Sequence, residues 1–483
     1  MSFFIKKKVV DRERTNGSVR GSKRKGADDK TSAIKAKRKQ NIPRDDEISS
    51  DSEKESDGER GKKEEENDLE VEETAQEKKL RLTKLYLEQL RTEEDHKADD
   101  RAFRHDVIAD RLQDELMEQS GTLQRQIAKE LRLPDPGAVR VLRGHQLPIV
   151  CLVISPDSKH IFSASKDCTL IKWDVESGRR VLSVPGLKKK DNKSGVDGHA
   201  AHVLCMAISS DGKYLATGDR DKLILLWNPA TMQLLHTFKG HRDTVSGLCF
   251  RKGTHQLYSA SHDRSVKVWN VDERAYVETL FGHQDAIMGL DCLARERCVT
   301  AGGRDRSVRV WKILEESQLV FHGHAGSIDC IQLINEEHMV SGADDGSLAI
   351  WGLHKKRPLA TVQKAHGMLG EPGLEQPQWI TSVAAMLNSD LVASGSHDGH
   401  IRLWKCGASF KSLEPLFAVP LSGFINVLAF SSCGSFLVAG VGQEHRLGRW
   451  WRMKEAKNAI CIIPLVRDAT QNPEAAAVAE PKT

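Results

Sequence analysis

Four sets of one histidine, one hydroxyl residue and one aspartate recur along this 483-residue chain: His145, Ser163 and Asp167; His199, Thr217 and Asp221; His241, Ser259 and Asp263; His324, Ser341 and Asp345. These are the residue types of a hydrolytic triad, in which a carboxylate orients an imidazole and the imidazole activates a hydroxyl. Each set is completed by a tryptophan six residues beyond the Asp: Trp173, Trp227, Trp269 and Trp351. An indole N–H needs a buried acceptor, so the foursome reads as a closed hydrogen-bond chain inside a repeated unit. A catalyst needs one such constellation open to substrate. Four copies belong to the fold, and no catalytic residue is expected. No glycine-rich phosphate loop, paired carboxylates or metal-ligand spacing competes, and the ten cysteines contain no C-x-x-C pair. No cofactor, metal or disulfide framework is expected, and the cysteines suit a reducing compartment.

A second constellation is basic. Next to the recurring Asp stand Lys166, then Arg220 and Lys222, then His262 and Arg264, then Arg304 and Arg306. Arg242 follows a Gly-His pair, and Lys188, Lys189 and Lys190 lie in an insertion at 185–197. A basic arc on one face is the electrostatic footprint of a phosphate backbone. Aromatics in the loops are scarce, so shape and backbone recognition is expected rather than base-by-base reading.

The elements that must position these residues follow from the spacing. Asp precedes Trp by six residues at Asp167/Trp173, Asp221/Trp227, Asp263/Trp269, Asp305/Trp311, Asp345/Trp351 and Asp398/Trp404, and Glu444/Trp450 keeps the interval with the acid swapped. Gly-His pairs at 144–145, 198–199, 240–241, 282–283 and 323–324 precede the first five. A period of about 40–45 residues with these marks is that of WD repeats. The expected fold is an all-β, seven-bladed WD-repeat β-propeller, four strands to a blade. Blade four has Ala301 where the hydroxyl should stand, His366 in blade six is displaced by a second insertion at 367–378, and blade seven keeps only Glu444 and Trp450. Both insertions join an outer strand to the next inner strand, so they emerge on the face of the basic turns. Residues 139–142 are expected to close the ring, with 458–465 as an added edge or cover.

Around the propeller (134–466) the composition shifts. Residues 1–44 hold fifteen Lys/Arg against four Asp/Glu, and residues 45–77 sixteen acids against four bases. Such blocks cannot bury enough apolar surface to fold, so 1–77 is expected to be a disordered charged tail. Lys23, Arg24, Lys35, Lys37, Arg38 and Lys39 form two basic clusters spaced as a bipartite nuclear-import signal. Ser50 and Ser52 each have Glu three residues on, as acidophilic kinases favour; the plain alternative is a solvating linker. Residues 78–133 form a helical segment whose apolar stripe Ile108, Leu112, Leu116, Leu123, Ile127 and Leu131 suits a brace against the propeller, with Gly121 as a break. Residues 467–483 form a second disordered tail. No run approaches the ~18 apolar residues of a membrane span.

The charged tail, the helical segment and a propeller carrying Ser261-His262-Asp263-Arg264-Ser265-Val266-Lys267-Val268-Trp269 and Gly302-Gly303-Arg304-Asp305-Arg306-Ser307-Val308-Arg309-Val310-Trp311 together resemble the WD-repeat proteins of the U3 small nucleolar ribonucleoprotein. The resemblance implies a non-catalytic scaffold that binds the box B/C region of U3 small nucleolar RNA in the nucleolus. Its partners would be the core protein that recognises the kinked turn, other small-subunit processome proteins and a nuclear import receptor. It implies a role in the early pre-ribosomal RNA processing that yields the small-subunit RNA. The competing expectation is a protein-only WD-repeat adaptor, a ubiquitin-ligase substrate receptor or chromatin peptide reader, with an acidic or aromatic-lined central cavity.

Overall fold

The computed structural model describes residues 75–95, 104–187, 198–370 and 375–467. The import clusters, Ser50, Ser52 and Lys188–Lys190 lie outside them. The chain divides into the units Met1–Lys78 and Lys79–Thr483, and the account below concerns the second. Seven antiparallel four-stranded sheets follow one another around a ring. In blade one the strands are Ile149–Ile154, His160–Ser165, Leu170–Asp174 and Arg180–Val184, from the channel outward. Their burial shows why they form: the inner three are nearly all buried, while the outermost is largely exposed. Strands covered on both faces read as continuous apolar runs, and each gap between blades is filled by facing side chains, such as Leu226, Phe238 and Trp269 between blades two and three.

The ring closes by interlocking the two ends of the propeller. Blade seven runs Phe424–Phe430, Phe436–Gly442 and Ala459–Pro464, with Arg140–Leu142 as its outer strand. The N-terminal strand therefore closes the ring as expected. The C-terminal run, expected as a cover, is instead the third strand of the blade, paired on both sides.

Two helices precede the ring, α1 (Ala75–Asp95) and α2 (Arg104–Ser120). The expected helical stripe ends early. Gly121 takes φ +78° and stops α2, and from there the chain runs irregularly over blades five and six. Asp390 Oδ1 accepts the backbone N–H groups of Ile127 (2.8 Å) and Ala128 (3.0 Å), Asn335 Nδ2 donates to the Leu123 carbonyl, and Leu123 is buried. Leu123, Ile127 and Leu131 thus brace the propeller without being helical. Helical spacing persisted there because a segment pinned by backbone hydrogen bonds also buries every few residues.

The His–hydroxyl–Trp chains are present in six blades. In blade three, His241 contacts Asp263 at 3.0 Å and Ser259 at 2.7 Å, and the Trp269 indole donates to Ser259 at 2.8 Å. In blades one and five a hydroxyl intervenes between imidazole and acid: Thr169 between His145 and Asp167, and Ser347 between His324 and Asp345. Ser163, with His145 and Trp173, and Ser341, with His324 and Trp351, complete those chains. Three expectations need correction. In blade two the acid is Asp219 (3.0 Å from His199, with Thr217 and Trp227 in their places), because it sits at the buried end of the second strand; Asp221 is exposed on the turn. In blade four the hydroxyl exists one residue earlier: Thr300 contacts His283 at 2.7 Å and accepts from Trp311 at 2.9 Å. In blade six His366 is in place, 2.8 Å from Asp398 and from Ser394, since the inserted hairpin Met368–Leu369/Gln376–Pro377 leaves after it.

The Gly of the Gly-His pair has its own reason. A Cβ at Gly144 or Gly323 would stand 2.8 Å from the ring edge of Trp173 or Trp351. The glycine lets the backbone lie on the indole.

Thr300→Val keeps the shape and removes the hydroxyl, leaving His283 Nε2 and the Trp311 N–H unpaired at a fully buried site. A cost of about 2–4 kcal/mol is expected from two unsatisfied groups, read from the urea midpoint. Adding Ala301→Ser should restore nothing, because position 301 pairs with Val308 on the opposite face of the strand.

Candidate nucleic-acid interface

In blades one to six the turn between second and third strands places a short acid-centred hairpin on one face, and the residues after the Asp take a left-handed backbone. φ is +70° at Lys222, +68° at Arg264 and +54° at Arg306. At the equivalent turns of blades five and six the residues are Gly346 (φ +71°) and Gly399 (φ +78°). A side chain in this region costs about 1–2 kcal/mol relative to the ordinary backbone, so three consecutive blades hold a long basic side chain where glycine fits better.

Arg220, Arg304 and Arg306 come together at the rim of a funnel of about 1090 Å³ at the mouth of the central channel. Lys222, Arg242 and Arg264 are exposed on the same face. Two of the expected contact residues are used otherwise. Lys166 is buried: its Nζ donates to the His445 carbonyl at 2.6 Å and to the Gly448 carbonyl at 3.3 Å, with Glu444 at 3.8 Å. Burial pulls its amine below the usual lysine range and Glu444 pulls it back. Lys166 fastens blade one to the blade-seven loop. His262 is half-buried in the funnel wall, where burial lowers its pKa, so it adds little charge near neutrality. The funnel is also less uniformly basic than the turn residues suggested: six Lys or Arg line it beside Asp285, Asp329 and Asp344.

The sequence reading missed the far wall. Between the second and third strands of blade seven the chain loops through 443–458, and this loop holds Glu444 and Trp450. They are not a tetrad remnant. Trp450 is 61% exposed and Glu444 is buried among Lys166, Arg449 and Arg452. Trp379 stacks on His445 (centroids 4.9 Å apart, 14° between planes), and Trp450 packs against both. The signal was available: Arg449-Trp450-Trp451-Arg452 lacks the upstream strand-start His, and the hydroxyl that most tetrads carry ten residues before the Trp, position 440 being Gly. Arg446 from the same loop turns into the channel, and its guanidinium donates to the Asp329 carbonyl.

Several buried groups make stability depend on pH. Burial pushes His324 and His397 down to about 4 and His445 to about 3. The unfolded chain takes up those protons near the usual 6.5 and the fold resists them, so this stabilisation is full above about 6.5 and drains as pH falls towards 4. Burial pushes Asp291 and Asp329 up to about 6, which works in the opposite direction over the same range. Burial also raises the tetrad acid Asp305, but hydrogen bonds from His283 and the Ser307 backbone outweigh it and hold it at about 2, so its loss begins only below about 4. Three histidines against two carboxyls leave a net loss of about 3 kcal/mol between pH 7 and pH 5, measurable from urea midpoints at the two pH values.

The comparisons agree with this architecture. The family model described as WD domain, G-beta repeat matches residues 137–174, 191–228, 232–270, 274–312, 315–352 and 373–405. U3 small nucleolar RNA-interacting protein 2 of Mus musculus is 71% identical over 396 residues, covering 82% of this chain and 83% of the relative. The protein of the same name from Homo sapiens is 70% identical over 397 residues, with the same coverage. The crystal structure of RRP9 WD40 repeats superposes with a TM-score of 0.68 at 68% identity, covering 70% of this chain and all of that one. With the propeller continuous around the ring and the relatives matching most of its length, this chain belongs to the U3 small nucleolar RNA-interacting protein family of WD-repeat proteins.

Proposed function

We propose that this protein is a non-catalytic, RNA-binding scaffold of the U3 small nucleolar ribonucleoprotein. It holds the box B/C region of U3 RNA and supports early pre-ribosomal RNA processing towards the small-subunit RNA. The observation that carries the reading is the placement of Lys222, Arg264 and Arg306 in left-handed turns of three consecutive blades. The turn itself imposes the left-handed backbone, since Cys168 takes φ +64° at the same place in blade one. What sets blades two to four apart is that each fills it with a long cation, as a phosphate backbone crossing them would require. Arg220 and Arg304 add to the same arc. The kinked-turn-binding core protein, other processome proteins and an import receptor that reads the basic tail complete the proposed partners, with the nucleolus as the site of action.

A second reading has one observation in its favour. The funnel holds Trp379, Trp450 and three carboxylates, the lining expected of a peptide-reading adaptor. Crosslinking the protein to RNA in nuclear extract and sequencing the attached fragments separates the two. Reads concentrated on U3 RNA around box B/C are the expected result. Background RNA with co-purifying proteins would put the adaptor first.

A further inference from the structure

We infer that the blade-seven loop and Trp379 form a stacking platform for an unpaired RNA base at the channel mouth, across the funnel from the basic arc. The inference rests on the RNA-binding reading above and adds a site and a ligand class to it.

Three observations carry it. First, Trp450 is 61% exposed although it already packs on an ordered base, the stacked pair Trp379 and His445. A large aromatic face left open on a rigid support is a surface for stacking, and every nucleobase has a matching π-face. The support is fixed by its own hydrogen bonds: Gln443 N–H donates to Asn458 Oδ1 (3.0 Å), Met453 N–H to the Gln443 carbonyl (2.9 Å), and Arg446 N–H to Asn426 Oδ1 (2.9 Å).

Second, the charge around the indole suits a nucleotide. Glu444 alone among the described carboxylates pairs with these cations, Lys166 at 3.8 Å, Arg449 at 3.0 Å and Arg452 at 3.9 Å. Arg449 and Arg452 remain exposed beside Trp450 and free to meet a phosphate on their outer sides. A methylated lysine or other cationic peptide side chain, which an aromatic cage recognises through the ring face, would be repelled by the same two guanidinium groups.

Third, one buried polar atom within the platform lacks a partner. His445 is 1% exposed and lines the funnel, and its Nε2 makes no hydrogen bond among the described residues. A buried polar atom left unpaired beside a cavity marks a place where a ligand or water completes the bonding. The funnel, at about 1090 Å³, reaches the upper end of ligand clefts, ~300–1,000 Å³, and so has room for a flipped-out nucleotide.

The test uses the full-length protein and a fluorescent U3 RNA fragment containing box B/C, free and annealed to its complementary strand. Trp450→Ala is expected to weaken binding of the free fragment about tenfold, with the salt dependence unchanged. Trp450→Phe should recover most of the loss, and the annealed duplex, which offers no unpaired base, should not distinguish the variants. Thermal melts should coincide, since the indole is mostly exposed. The inference is overturned by wild-type affinity in Trp450→Ala, by equal losses on free and annealed RNA, or by loss of a co-purifying protein with RNA affinity intact. A wild-type protein that binds the fragment, while the alanine variant matches it, sinks the platform and leaves the basic arc standing. Failure of wild type to bind the fragment would instead sink the RNA reading on which the platform rests.

Discussion

Replacing Arg220, Arg264, Arg304 and Arg306 together by Glu should weaken U3 RNA association by about a thousandfold or more at physiological salt, with folding intact. Each contact of this kind neutralises a phosphate and releases condensed counterions, and reversal adds repulsion at the same point. Loss of four contacts should flatten the slope of log K against log salt by about 3, at ~0.7 per contact for single strands. All four side chains are exposed, and among the described residues their one side-chain hydrogen bond is Arg306 to the Ala325 carbonyl, so the blade cores are untouched. The measurement is an affinity series across salt concentrations, with a thermal melt as the control for folding. Unchanged affinity would remove the basic arc from the binding surface and favour the adaptor reading. Lys166 is left out deliberately, because its reversal would place a second buried anion against Glu444.

Removing the chain through Leu142 should cost at least about 5 kcal/mol and lower Tm by at least about 10 °C, because buried Leu123 and the bonds to Asp390 are lost together with the closing strand. The deletion strips blade seven of its outer strand, whose pairs are Arg140 with Ile462, Val141 with Cys461 and Leu142 with Ile460. Burial of Leu142 contributes about 2 kcal/mol, and the lost ladder bonds about 1 kcal/mol each. The Tm shift follows at about 2 °C per kcal/mol for a domain of this size. The deletion also exposes the edge of Ala459–Pro464, an apolar strand suited to pairing with other chains. A chain beginning at 121 keeps the closing strand and the segment bonded to Asp390, and should melt like the full protein. Calorimetry of the two truncations checks both points. Equal melting would mean that the third strand of blade seven closes the ring unaided.

Much of the fold was legible because its marks are local. A Gly under an indole, a His reaching a hydroxyl and an Asp at a turn must recur at fixed intervals along each blade, and those intervals survive in the primary structure. The errors arose where geometry tolerates a substitute. Asp219 reaches His199 from the end of a strand, two residues before the expected acid, because a carboxylate needs only to arrive within about 3 Å. Thr300 serves as the hydroxyl of blade four from one position earlier. In blade seven a spacing of six between Glu444 and Trp450 arose inside a long loop, with no strand to make it meaningful.

The sequence by itself determined the number of blades, most of the individual tetrad residues, the face on which the basic turns emerge and the family. These depend on periodicity and on residue types that a blade cannot do without. Only the tertiary structure decided which charges are available and what faces them. Lys166 and Arg220 read alike in the chain, yet one is buried against Glu444 and the other stands at the funnel rim. Trp379 and Trp450 lie 71 positions apart and become one aromatic wall. The physical reason is common to both cases. A closed ring brings the first and seventh blades together and points every inner loop at one axis, so a side chain's surroundings are set by residues remote in sequence.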